Sequence, residues 1–140
     1  MEKIIIDAEG LLLGRMGTYA AKQLLLGNEV IIVNAGRVSM SGTKRDILSR
    51  EKAKAARGTT INQGPFYYRN PATYVKRTVR GMLPSKKSRG EEALKRLRVY
   101  TSNTQGLKAN VKIENASVEK LPNIKFVELS KILNIIGAQK

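Results

Sequence analysis

Residues 3–34 commit the chain to an α/β architecture before anything else is read. Residues 3–7 hold three consecutive isoleucines (Ile4, Ile5, Ile6), the pattern of a short buried strand with apolar side chains on both faces. Ala8-Glu9-Gly10 turns the chain. Over residues 14–26, with Leu13 just before, the apolar positions Leu13, Met16, Ala20, Ala21, Leu24 and Leu25 recur at helical spacing. Gly27-Asn28 stops that helix, since glycine takes the left-handed conformation at a helix end at little cost. Residues 29–34 (Glu-Val-Ile-Ile-Val-Asn) then read as a second buried strand. Strand, helix and strand within about thirty residues make a βαβ unit, with parallel strands and a right-handed crossover.

The remaining elements follow the same signals. Residues 38–40 suggest a short strand, and residues 44–57 a helix capped by Thr43 or Ser41. Its apolar face is thin (Ile47, Leu48, Ala55), so a partner must hold it. Residues 58–71 read as a loop carrying Phe66-Tyr67-Tyr68, which either anchor it to the core or stack on unpaired bases. Beside proline the anchor is the commoner outcome. Residues 72–80 suggest a helix broken by Gly81 and Pro84. Ser88-Arg89-Gly90-Glu91 fits a capping box for a further helix running through Leu94 and Leu97. Val99-Tyr100 returns to the sheet, residues 101–110 form a polar loop, and weak strands are expected at Val111 and Ile113 and at residues 124–127. Leu129, Ile132, Leu133 and Ile136 predict a last helix stopped by Gly137. With 140 residues and no composition break, one domain spanning residues 1–140 is expected.

Charge narrows the function. The net charge is +15, yet residues 37–98 alone hold 17 basic and 4 acidic side chains. The densest stretch, residues 75–100, sets nine cations against Glu91 and Glu92 and interleaves them with Val75, Val79, Met82, Leu83, Leu94, Leu97 and Val99. A solvated tail would lack those apolar positions, so this is a folded surface that needs an anionic partner. Cysteine and histidine are both absent, which excludes thiol catalysis, Cys/His zinc sites and a histidine general base. No apolar run approaches the ~20 residues of a membrane span. The opening residues do not read as a secretory signal, so a cytoplasmic protein is expected.

Glycine patterns offer a rival reading as a nucleotide-using α/β enzyme. Gly10, Gly14 and Gly17 follow a strand, but the spacing is not that of a dinucleotide fingerprint. Residues 36–44 approach a phosphate loop with one residue too many and the Lys and Thr exchanged. Neither pattern carries the chemistry. A second rival, a non-specific chromosomal nucleic-acid binder, shares the basic composition. Nothing resembles a helix-turn-helix or an aromatic sheet reader, so shaped, folded RNA bound through its backbone is the expected target.

Three segments also resemble a known family. Asp7-Ala8-Glu9-Gly10 with Leu13-Gly14-Arg15, Gly64-Pro65-Phe66 with Arg69 and Pro71, and above all Arg80-Gly81-Met82-Leu83-Pro84 with Arg89-Gly90, Ala93-Leu94, Arg96-Leu97 and Val99-Tyr100 are similar to the universal large-subunit ribosomal protein L-thirteen family. The start at Met-Glu-Lys-Ile suggests its archaeal or eukaryotic-type form. Ser85 stands where many members carry His, Gly17-Thr18 replaces Ala-Ser, and Thr101-Ser-Asn-Thr replaces a Gly-x-Pro turn. The resemblance implies a three-layer α/β/α fold around a central, mainly parallel four-stranded sheet, with basic loop and helix extensions. It further implies a structural constituent of the large ribosomal subunit that binds large-subunit rRNA, contacts neighbouring large-subunit proteins and supports assembly. No catalysis, cofactor, metal, membrane or small-molecule substrate is expected. Arg77, Arg80, Lys86, Lys87 and Arg89 are the main candidates for phosphate contact, with Lys44, Arg45, Arg69, Lys76 and Arg96 next. Gly81 should allow close backbone approach, and Met82-Leu83 should dock on protein or wedge near RNA.

Overall fold

The isoleucine run forms β1 (Lys3–Asp7) and residues 29–33 form β2 (Glu29–Val33) in the computed structural model, which describes residues 1–58 and 62–137. The two strands pair in parallel, Lys3 opposite Glu29 and Asp7 opposite Val33, as a βαβ unit requires. Between them lies α1 (Leu13–Leu25), and Gly27 follows at φ +98°. A short 3₁₀ turn at Ala35–Arg37 leads to β3 (Ser39–Ser41) and then to α2 (Lys44–Ala55). Thr43 is the cap of α2: its hydroxyl accepts the Asp46 N–H.

A long excursion through α2, α3 (Pro71–Met82) and α4 (Ser88–Lys95) ends in β4 (Leu97–Val99), which pairs in parallel with the other side of β2. The main sheet therefore runs β1-β2-β4, all parallel, with β2 in the middle. Position explains burial. Val30, Ile31, Ile32 and Val33 of the central strand are all buried, whereas β1 alternates, with Ile4 and Ile6 buried and Ile5 half-buried. The core cluster joins Ile4, Ile6, Val30, Ile32 and Leu97 to Met16, Ala20 and Leu24 of α1, Val75 and Val79 of α3 and Ala93 of α4. Each fully buried aliphatic side chain contributes roughly 1.5–3 kcal/mol relative to exposure.

The C-terminal third returns to the N-terminal half. β5 (Phe126–Glu128) pairs antiparallel with β3 as a separate two-stranded sheet, and α5 (Leu129–Ile136) buries Leu129, Ile132 and Leu133. Gly137 caps α5 at φ +99°, as its sequence pattern predicts. The segment between β4 and β5 is largely irregular. Val111 makes a single parallel bridge to Ile6, and Asn110 secures it: its Oδ1 accepts the Ile5 N–H at 2.8 Å and its Nδ2 donates to the Lys3 carbonyl at 2.8 Å. Two 3₁₀ turns, Glu114–Ala116 and Val118–Lys120, were not foreseen; the only apolar residue they bury is Ala116.

Four expected boundaries need correction. Gly81 does not break α3; it lies inside the last turn, and the helix ends at Met82 because Leu83 precedes Pro84 and is driven to extended backbone (φ −98°, ψ 154°). The Ser88 capping box does not form: Lys87 is the cap residue, with no side-chain bond, and Ser88 is the first helical residue. Leu97 belongs to β4, not to α4, since Arg96 already caps the helix and the sheet takes the next residue. Of the expected loop over residues 58–71, Pro71 opens α3 and residues 59–61 lie outside the described residues.

Candidate nucleic-acid interface

α3 is the spine of the basic surface. The Asn70 side chain accepts the Ala72 N–H at 2.9 Å, and Pro71, which has no N–H to satisfy, occupies the first turn. Val75 and Val79, four apart, are fully buried. That fixes the helix rotation and turns Lys76, Arg77 and Arg80 outward, where all three are exposed. Lys86 and Lys87 are exposed in the tight turn to α4, and Arg89 is exposed on its first turn. Among the described residues none of the ten candidate cations forms an ion pair; the carboxylate partners go to Arg37, Arg50, Lys54, Arg98 and Lys131.

Three clefts border α3, each lined by one of its predicted cations. Arg77 lines a cavity of about 360 Å³ with Lys54 and Arg57 of the α2 end and the aromatic loop. Lys76 shares a second cleft with Arg98 and Tyr100 at the β4 edge. Arg80 faces Ser85, Gly90 and Glu91 across a third. Lys44 and Arg45 are exposed but sit at the opposite end of α2 from Lys54, about 15 Å away along the helix axis.

Some candidates have structural duties. Arg96 is half-buried, and its Nη2 donates to the Leu24 carbonyl at 3.0 Å, at the C-terminal end of α1 where a positive charge is favoured. Arg89 reaches the neighbouring Leu25 carbonyl at 3.4 Å. Arg69 lies near Gly137 at the end of α5. Met82-Leu83 docks on protein: Leu83 is buried, and the Met82 thioether rests against Gly17, where a Cβ would come within 3.1 Å of the sulfur. Gly81 is exposed with open space beside it, whereas Gly90 is buried against the Pro84 carbonyl.

The buried anchor beside this surface that sequence reasoning missed is Glu51. It is 1% exposed, although α2 is otherwise strongly polar. Its Oε2 accepts the Tyr67 hydroxyl at 2.8 Å and its Oε1 accepts Lys54 Nζ at 3.2 Å. Tyr67 packs edge-to-face on Tyr74. The signal was present: Ile47, Glu51 and Ala55 are spaced four apart, on the one apolar stripe α2 has. Burial alone would raise the Glu51 carboxyl, but the Tyr67 and Lys54 hydrogen bonds and the Lys54 charge outweigh it and hold it below its usual 4.5. Burial, then the bond to Glu51, pushes the Tyr67 hydroxyl well above its ordinary range, so it remains a donor.

A carboxylate whose folded pKa is depressed adds stability above its unfolded value and loses it as the pH falls through the folded one. Glu51→Gln is therefore expected to cost about 2 kcal/mol at neutral pH, the worth of a charge-assisted hydrogen bond. The gap to wild type should close in thermal melts as the pH drops below about 4.5.

The basic surface on an α/β frame fits what comparison with known proteins finds. The sequence model described as Ribosomal protein L13 matches residues 1–105. The chain belongs to that family. It is 40% identical over 136 residues to the large ribosomal subunit protein uL13 of Archaeoglobus fulgidus, covering 95% of this chain and 86% of the relative. The uL13 proteins of Methanosarcina barkeri (39% over 138 residues, 96% and 98% covered) and Haloarcula marismortui (38% over 137 residues, 98% and 92% covered) are similar. Alignments of that length extend past residue 105, so the likeness to L13 proteins reaches β5 and α5. Among the described residues no helix is long and apolar enough to cross a membrane, and no acidic cluster has the make-up of a metal site.

Proposed function

We propose that this chain is a structural, non-enzymatic constituent of the large ribosomal subunit in the cytoplasm, binding large-subunit rRNA and touching neighbouring large-subunit proteins. The observation that carries the reading is a row of exposed cations on α3 and the α3–α4 turn, with no carboxylate partner among the described residues, in a member of the L13 family. Arg77, Arg80, Lys86, Lys87 and Arg89 take the central phosphates, and Lys76, Arg69, Lys44 and Arg45 extend the contact. Gly81, exposed and without a side chain, lets an RNA backbone come close. Arg96 acts mainly by holding the end of α1 in place.

The finer architecture belongs to the same proposal. Residues 1–140 act as one domain, supported by the returns of β5 to β3 and of Asn110 to β1. The Val111 segment, already bridged to Ile6, is the fourth strand of a three-layer α/β/α fold.

Co-sedimentation with large subunits through high-salt gradients tests the reading. The wild-type chain should travel with the subunit. The double substitution Arg80→Ala and Arg89→Ala should remove two phosphate contacts and lower the salt slope of rRNA binding by about 1.4–1.8. Lys131→Ala, on α5, should leave it unchanged. Equal losses from both would overturn the localised surface.

A further inference from the structure

Phe66, Tyr67 and Tyr68 are adjacent, yet the fold treats them differently. Tyr67 points inward, bonded to Glu51 and packed on Tyr74. Phe66 is 60% exposed and Tyr68 37% exposed. The anchoring expected of an aromatic cluster beside proline is thus carried by the middle residue alone. The outer two stay in solvent, at a cost that hiding them would have avoided. They are also held ready. Arg77 Nη1 donates to the Phe66 carbonyl at 2.9 Å, and the same guanidinium stacks over the Tyr68 ring at 4.9 Å. Both rings border the 360 Å³ cavity whose cationic lining is Lys54, Arg57 and Arg77. Among its described lining residues the one acid, Glu51, is already engaged by Lys54 and Tyr67. The cleft is therefore positively charged.

We propose that Phe66 and Tyr68 form a stacking platform for an unpaired nucleotide of the RNA, with Lys54, Arg57 and Arg77 holding the phosphates beside it. The inference rests on the ribosomal reading and adds to it a subsite that recognises an unstacked base. Every base offers a π-face, so stacking needs no sequence readout, and a nearby guanidinium suits both ring and phosphate. The cleft's charge disfavours the alternative occupant, a basic segment of a neighbouring ribosomal protein.

The test measures binding of the full chain to folded, protein-free large-subunit rRNA. Phe66→Leu with Tyr68→Leu keeps the sites apolar and removes the π-faces. Affinity should fall about tenfold or more, with the slope against salt unchanged because no charge is altered. Since the chain has no tryptophan, Phe66→Trp supplies a single indole whose fluorescence should be quenched on binding, with wild-type affinity kept. Unchanged affinity of the leucine variant, or an unquenched indole, overturns the stacking site. A leucine variant that binds naked rRNA normally but fails to join subunits also overturns it, in favour of a protein neighbour. A wild-type chain that binds no rRNA overturns the ribosomal reading as well, so the two failures are told apart. Matching melting temperatures for all variants confirm that the fold is intact.

Discussion

Affinity of this chain for folded large-subunit rRNA is expected to fall on the order of a thousandfold between about 50 and 200 mM monovalent salt. The magnitude is a floor, set by counting only the cations that have no other duty; Arg77 and Arg89, which divide their contacts between protein carbonyls and the proposed phosphates, would steepen it. Of the ten candidates, Arg96 caps α1, Arg89 reaches the Leu25 carbonyl, Arg69 lies over the end of α5 and Arg77 holds the aromatic loop. Lys44, Arg45, Lys76, Arg80, Lys86 and Lys87 remain exposed, with no ion pair among the described residues. Each phosphate neutralised releases counterions worth a log–log slope of about 0.7–0.9, so six contacts give a slope near 4 to 5. Filter binding across a salt series reads it directly. A slope below about 2 would mean that most of these cations face solvent in the complex, and the surface would have to be redrawn.

The distinction between free and engaged cations was not visible in the sequence, and the reason is physical. Local signals were read well. The isoleucine run, the α1 periodicity, the Thr43 cap and the spacing of Leu129, Ile132, Leu133 and Ile136 depend on residues within a turn or two of each other. The missed features depend on distant partners. Arg96 is drawn inward by a carbonyl 72 residues away, and Glu51 is buried because Tyr67, across the loop, supplies a donor. Strands near β3 and β5 were expected, but their pairing with each other joins residues far apart in the chain and has no local signal. The family signature points to the surface as a region, but which cations are spare within it is a tertiary fact.

The two Arg-Gly pairs show the same limit most sharply, and they carry opposite expectations. Gly81 and Gly90 each follow an arginine, and nothing in the local sequence tells the two apart. In the fold Gly81 is exposed inside α3 at an ordinary helical conformation, with nothing near where a Cβ would sit. Gly81→Ala should therefore stabilise the free protein by about 0.5–1 kcal/mol, because alanine loses less conformational freedom in a helix. If RNA packs on that backbone, the same variant should bind rRNA more weakly while melting higher, a split that a merely structural residue would not give. Gly90 is buried on α4, and a Cβ there would drive into the Pro84 carbonyl. That oxygen cannot step aside cheaply, since it accepts the Lys87 N–H at 3.0 Å and so closes the turn that presents Lys86 and Lys87. Overpacking against backbone belongs at the upper end of the usual range, about 3 kcal/mol. Out of a total stability of roughly 5–15 kcal/mol this is a large fraction. Gly90→Ala should accordingly lower the melting temperature by about 10 °C and weaken rRNA binding by displacing the turn. If it melted like wild type, the Gly90–Pro84 contact would not be what sets the geometry of the basic turn.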